Sequence, residues 1–287
     1  MLPVPVGTDP FQIALAWRSI FTSTLPFMTT NPSGNPSNFF PGVVRTVADL
    51  PAISRGEAKT FELVRDGEYA EALTASEIHL DGSADMGTHA NGDLLLFVRE
   101  GSGTLTVAGE EFELSPDCAA LIRHEEKWAL SSTTPFKIFS VHAPGAGPHA
   151  RKIAKPSTGF QRVVKQGITN KGKATGNREF EVLFDESRGS TGATMFIGFI
   201  PTSGAPAHYH LYDEICHIVR GGGSFVVGES QVPIGPGSTF VVAPRMLHSV
   251  MNDREEDLWI LGTFRPAGTP AAAYYPDGRP APGYDEV

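Results

Sequence analysis

Residues 101–128, GSGTLTVAGEEFELSPDCAALIRHEEKW, align without a gap onto residues 221–248, GGGSFVVGESQVPIGPGSTFVVAPRMLH, at an offset of 120. The offset pairs Gly101 with Gly221, Gly103 with Gly223, Val107 with Val227 and Pro116 with Pro236. Identity is modest, yet turn residues and apolar runs (LTV with FVV, ALI with FVV) stay in register. Short alternating runs bounded by Gly, Pro, Asp and Asn mark antiparallel hairpins, and self-similarity at a fixed spacing marks a duplicated unit. The chain therefore reads as all-β, two copies of one module at 42–143 and 179–265. Almost no sustained 3.6-residue periodicity supports long helices.

The composition agrees. Of 287 residues 40% are hydrophobic, enough to fill a core and to exclude a mainly disordered polymer. The 31 Gly and 23 Pro, without a collagen-like period, point to many turns and short strands. A net charge of −9 speaks against a dedicated nucleic-acid binder. Two cysteines, Cys118 and Cys216, are too few for a disulfide scaffold, so the expected setting is reducing and cytoplasmic. No stretch is apolar for the ~20 residues of a membrane span.

The remaining segments are an extension (1–41), a linker (144–178) and a tail (266–287). The extension reads as disordered or as translated from an upstream start before Met28, which would put residues 1–27 outside the native protein; Phe11–Phe21 would otherwise form a short amphipathic helix. The linker holds eight Lys or Arg and no acid, which suits a solvated segment packed on acidic barrels better than a docking site for an anion. Within it Gly167 to Ala174 nearly spells a phosphate-binding loop, but Ala174 stands where a magnesium-ligating hydroxyl is needed. That reading is rejected.

Chemistry concentrates in the second copy, which holds His208, His210, His217 and His248. His208 and His210 are separated by one residue and share a face of an extended strand. Glu214 follows after a tight turn and His248 comes from the later run VVAPRMLHSV. Three imidazoles and a carboxylate without a thiolate make a transition-metal donor set. Cys216 shares the parity of Glu214 and is expected as an inert thiol facing inward, whereas His217 should point away. Tyr212, Phe225 and Phe240 are candidates to wall a substrate pocket, although aromatic residues in a small barrel are more often plain core, and Arg245 is a candidate carboxylate anchor, although an exposed surface position is the commoner outcome.

GAPAHYHLYDEICHIVRG (204–221) resembles the first motif of the cupin superfamily, HxH then three residues, Glu, six residues and Gly, and GSTFVVAPRMLHSVMN (237–252) resembles the second. Thr202, Ala243 and Arg245 depart from the family's Gly, Pro and Gly at turns. The resemblance implies a bicupin, two tandem jelly-roll (double-stranded β-helix) barrels, with His208, His210, Glu214 and His248 as metal ligands. The first copy places Leu94 at the position of Glu214 and Trp128 at that of His248, and a one-residue deletion sets His89-Ala90-Asn91 against the HxH. One imidazole will not hold a divalent ion, so the first barrel is expected to be metal-free and structural, or else an apolar binding cavity lined by Leu94, Leu96, Val98 and Trp128.

In cupins such a site supports dioxygenation, decarboxylation, isomerisation, lyase chemistry and simple binding, and fold does not choose among them. The expectation is one divalent transition metal per chain, Fe or Mn first and Ni, Zn or Co after them. The expected protein is a metal-dependent enzyme acting on a small oxygenated organic molecule, with dioxygenation as the leading reaction and Glu214 able to act as base. The alternatives are non-oxidative hydrolase, lyase or isomerase chemistry and a non-catalytic binding cupin. Oxalate decarboxylation fits less well, because in that bicupin activity a metal site is associated with each barrel. The expected partners are a small-molecule substrate and a second copy in a homodimer, with no nucleic acid and no membrane.

Overall fold

In the computed structural model the described residues are 42–66, 68, 73–89, 91–144, 159–174 and 177–281. The Phe11–Phe21 stretch, Met28 and residues 145–158 of the basic segment lie outside them. The expected all-β class is what the chain forms. Among the described residues the only helical turns are two short 3-10 turns, Val47–Asp49 and Glu186–Arg188, and no helix is long and apolar enough to cross a membrane.

The first barrel is built from β1 (Ile53–Arg55), β2 (Ala58–Val64), β3 (Thr74–Gly87), β4 (Asp93–Glu100), β5 (Gly103–Val107), β6 (Glu110–Leu114), β7 (Cys118–Ile122), β8 (Trp128–Ala143) and β9 (Val163–Lys165). Its order is β1-β2-β3-β8-β4-β7-β9, with β5 between β6 and β8. The second comprises β10 (Gly172–Lys173), β11 (Glu179–Phe184), β12 (Thr194–Ile200), β13 (Asp213–Arg220), β14 (Gly223–Val227), β15 (Ser230–Ile234), β16 (Thr239–Val242), β17 (Ser249–Met251) and β18 (Leu258–Arg265). It pairs as β10-β11-β12-β18-β13-β16 and β15-β14-β17. Thus β9 and β10 carry the segment read as a linker into the two sheets.

The repeat is visible in backbone geometry. Left-handed residues recur at the offset of 120: Gly101 (φ 76°) with Gly221 (72°), Ala108 (50°) with Gly228 (58°), Asp117 (68°) with Gly237 (93°), Glu125 (62°) with Arg245 (64°). Gly101 and Gly221 each lie against backbone, that of Pro135 and Phe136 in one copy and of Asp257 and Leu258 in the other, so a side chain at either would clash. Ladder registers match as well, with Leu94 opposite Ile122 and Glu214 opposite Val242.

Strands that read as continuous apolar runs do so because both faces are covered. On β4, Leu96 and Val98 face the first barrel's interior with Leu105, Trp128 and Ile138. Leu95 and Phe97 face the other way, into a core shared between the barrels with Phe139 and Val141 of β8 and with Ile197, Ile215, Val241 and Leu261 of the second barrel. Polar contacts pin this interface. Thr191 donates its hydroxyl to Asp93 at 2.8 Å, Arg220 pairs with Asp117, and buried His217 stacks on Phe139 with ring centroids 4.1 Å apart.

Two described cations of the basic segment find their anions within the chain. Arg162 grips Glu126 with two bonds of 2.6 and 2.8 Å, and Lys171 pairs with Glu179 at 3.1 Å. At the rejected phosphate loop, the N–H groups of Gly167 and Thr169 and the Thr169 hydroxyl all donate to the buried Glu181 carboxylate. These bonds hold Glu181 ionised, its pKa lowered although burial opposes the shift.

Candidate metal centre

His208 and His248 face each other as an isolated antiparallel bridge, each N–H reaching the other's carbonyl at 3.0 Å. The alternation of an extended strand sends Tyr209 to the opposite side, where it stacks on Tyr274. His210 lies one step beyond, and Glu214 enters at the start of β13 with its Oε2 3.5 Å from His210 Nε2. One ring nitrogen from each of His208, His210 and His248 lies within 4.8 Å of the others. All four side chains are buried.

Two of the imidazoles are fixed as to tautomer. His208 Nδ1 is 2.7 Å from the Pro206 carbonyl and His248 Nδ1 is 2.9 Å from that of Met246. A carbonyl only accepts, so each Nδ1 carries the hydrogen and each Nε2 keeps its lone pair, the arrangement second-shell partners impose on metal-ligating histidines. His210 Nδ1 is buried with no hydrogen-bond partner, while its ring stacks on Tyr212 at 4.4 Å.

Desolvation pushes His208 and His210 well below the ordinary imidazole value, and the neighbouring imidazoles and Arg178 add to it. His248 falls to about 4, again chiefly through burial. Burial drives Glu214 the other way, to about 8, against the opposing pull of a Cys216 hydrogen bond and of Arg178. Three neutral imidazoles with available lone pairs, an orphaned buried ring nitrogen and a carboxylate held far above its solution pKa are donors whose chemistry fits a divalent cation.

The donors line a cavity of about 50 Å³. Tyr212, Cys216 and Phe240 share that lining, so the thiol lies on the inner face with Glu214, and burial raises its pKa well above the usual thiol range. Two candidate pocket residues are not in the wall. Phe225 stacks on Phe240, ring centroids 4.0 Å apart, and packs in the barrel core with Ile218 and Val242 instead of lining the cavity. Arg245 is exposed and holds a left-handed turn whose N–H donates to the His210 carbonyl at 2.7 Å.

The sequence reading missed several wall residues. Arg178, Phe180, Phe196 and Pro270 all contribute, Arg178 from the end of the basic segment and Pro270 from the segment after β18, neither with a local signal. Gly262 did carry one, as a lone glycine within the apolar strand LWILGTFR. A Cβ there would run into the Phe196 ring and lie 2.5 Å from Glu214 Oε1.

In the first barrel the same positions hold other residues. Trp128 pairs with Gly87 as His248 pairs with His208, and the Glu125 N–H bonds to the His89 carbonyl as that of Arg245 bonds to His210. Gly87-Thr88-His89 therefore occupies the HxH position, a correction to the expected His89-Ala90-Asn91. His89 corresponds to the second histidine; Gly87, Leu94 and Trp128 replace the other donors. Among the described residues, His208, His210 and His248 of the second barrel form the only metal-sized cluster.

A jelly-roll barrel carrying three inward histidines beside a carboxylate is the class defined so far. Residues 195–263 match the family model for the cupin domain. The second barrel is thus a cupin domain. Solved structures with similar folds include AerE from Microcystis aeruginosa, 10% identical with a TM-score of 0.59 over 75% of this chain and 96% of that one. A mutant of Bacillus subtilis oxalate decarboxylase is 13% identical, with a TM-score of 0.63 over 87% and 82%. The protein Ylba from E. coli is 13% identical, with a TM-score of 0.62 over 80% and 94%. Both barrels take part in likenesses of this extent, which concern the fold alone. No curated protein matches the chain.

Proposed function

We propose that the protein is a metal-dependent enzyme acting on a small oxygenated organic molecule at the centre formed by His208, His210, Glu214 and His248, with dioxygenation as the leading reaction. The observation that carries this reading is the convergence of three buried imidazoles, two of them fixed as to tautomer, and one buried carboxylate on one small cavity. Held by His208, His210, Glu214 and His248, Fe or Mn (or Ni, Zn or Co) would supply a Lewis acid and a template for the substrate.

The chain's own residues do the rest. The Pro206 and Met246 carbonyls hold His208 and His248 in a single orientation. Phe196, Phe240 and Ile260 limit water in the cavity, which strengthens every electrostatic interaction inside it. Glu214, buried beside the imidazoles, is placed where a carboxylate could act as acid or base on a bound substrate. This last feature favours a second reading, a lyase, isomerase or hydrolase that uses the same ion without oxygen.

Elemental analysis of untagged protein is the first test, with close to one equivalent of transition metal expected and none in His208→Ala. Oxygen uptake with catechols, flavonols and diketones, with and without added Fe(II), then separates the readings. Consumption of oxygen supports the oxygenase, turnover without oxygen supports the second reading, and a metal-loaded protein inert on every substrate points to a binding cupin. A wild-type protein that takes up no iron, manganese, nickel, cobalt or zinc removes the proposal altogether.

A further inference from the structure

The apolar part of the cavity wall is organised around one ring. Phe196 of β12 lines the cavity together with Gly198, and its partner across the ladder on β18 is Gly262. Both glycines leave bare backbone beside the ring. A Cβ at Gly262 would come within 2.2 Å of it, and one at Gly198 within 3.4 Å. The same Cβ at Gly262 would lie 2.5 Å from Glu214 Oε1, so the edge of the Phe196 ring stands beside the carboxylate donor. Phe180 and Phe264 meet the ring edge to face, with centroids 6.4 and 5.8 Å away. Phe264 in turn stacks on Tyr212 at 4.0 Å, and Tyr212 on His210 at 4.4 Å. A ring laid over a cross-strand glycine and flanked by two others is held by close packing, which makes it a fixed wall and not a swinging gate.

The space on the donor side of that wall is small. The cavity of about 50 Å³ admits roughly four water-sized groups, since one water needs about 10–15 Å³ by the same measure. His208, His210, Glu214 and His248 are each no more than 5% exposed, so a ligand that reaches them lies inside this space. Truncating one large side chain in such a wall opens room for a whole aromatic ring, because the surroundings collapse only in part.

We propose that Phe196 sets the size limit of this centre, admitting small aliphatic oxygenated molecules such as short dicarbonyls and excluding aromatic substrates. This rests on reading the site as the centre of a metal-dependent enzyme for a small oxygenated molecule, and it narrows that reading: catechols and flavonols fall outside the limit.

The protein loaded with Co(II) tests this without turnover, because a ligand that reaches the ion changes its visible absorption. Azide is the small probe and 4-phenylimidazole the large one. Wild type is expected to bind azide and to exclude 4-phenylimidazole. Phe196→Ala should keep its cobalt, bind azide within about threefold of wild type and bind 4-phenylimidazole at least about tenfold more tightly than wild type does. Phe139→Ala, which loosens the core between the barrels and lies outside the cavity wall, should behave like wild type. Equal binding of 4-phenylimidazole by wild type and Phe196→Ala overturns the proposal. So does an equal gain in Phe139→Ala, which would trace access to general loosening. Loss of cobalt from Phe196→Ala with its fold intact by circular dichroism overturns it too, because the ring would then serve site assembly. If Phe196→Ala does not fold, the shorter side chain of Phe196→Leu decides, and no gain there overturns the size limit. A wild-type protein that holds cobalt and binds both probes alike sinks this proposal and leaves the metal-enzyme reading standing. One that takes up no cobalt sinks that reading, and the size limit with it.

Discussion

His217 offers a quantitative test of how the barrels are joined. Its ring is fully buried between them, stacked on Phe139 and joined through Nδ1 to the Thr239 hydroxyl at 2.8 Å. Burial pulls its pKa down to about 3; Arg99 on β4 adds to the shift and Glu77 on β3 opposes it. Glu77 is itself occupied by Arg99 at 2.6 Å and by His79 at 2.6 Å. A histidine whose folded pKa lies below its unfolded value of about 6.5 binds fewer protons in the native state than in the unfolded one. Its contribution is therefore complete above about pH 6.5, erodes as the pH falls through that value, and stops changing below about 3. Each pH unit within that window costs about 1.4 kcal/mol, so roughly 2 kcal/mol is lost by pH 5 and about 5 kcal/mol by pH 3. Urea unfolding of wild type and His217→Gln at pH 7 and pH 5 isolates this, since the other histidines titrate in both proteins. Wild type should lose about 2 kcal/mol more than the variant over that interval. Equal losses would mean that His217 can take up its proton inside the folded interface, and the account of a dry, sealed junction would be wrong.

Other consequences follow from the same geometry. Gly262→Ala puts a methyl group where the Phe196 ring and the Glu214 carboxylate now sit; metal affinity should fall about 10–100-fold, the usual cost of disturbing a ligand's support, and unchanged affinity by competition with a chelator would exclude Gly262 as the space-maker. Phe139→Ala empties the centre of the shared core and should cost about 3–5 kcal/mol, read from the urea midpoint; a loss under about 1 kcal/mol would show that the barrels are stable without this packing. Arg245→Gly relieves a left-handed arginine at φ 64° but frees the unfolded chain, so stability should move by no more than about 1 kcal/mol. Metal content should stay at the wild-type level, and a metal-free Arg245→Gly protein would reassign that residue to the site.

The sequence alone determined the duplication, because hairpin turns demand particular backbone angles and so leave Gly, Pro and Asp at fixed spacing. It also determined which face of β13 looks inward, because strand alternation is a local rule: Glu214 and Cys216 reach the cavity and His217 the opposite side. The donor residues could be named because the HxHxxxE spacing holds three of them within one short segment. Their convergence with His248, across nearly forty residues of chain, was settled by the bridge between the two histidine strands. Only the tertiary structure decided what stands around them. Arg178 and Pro270 reach the cavity from segments with no local pattern, while Arg245, adjacent in sequence, is left outside. Tertiary packing likewise aligned Gly87 and His89, not His89 and Asn91, with the histidine pair, since ladder register is set by partner strands that the local sequence does not specify. A cavity is lined by whatever the fold brings within a few ångströms, and that neighbourhood is written in long-range pairing.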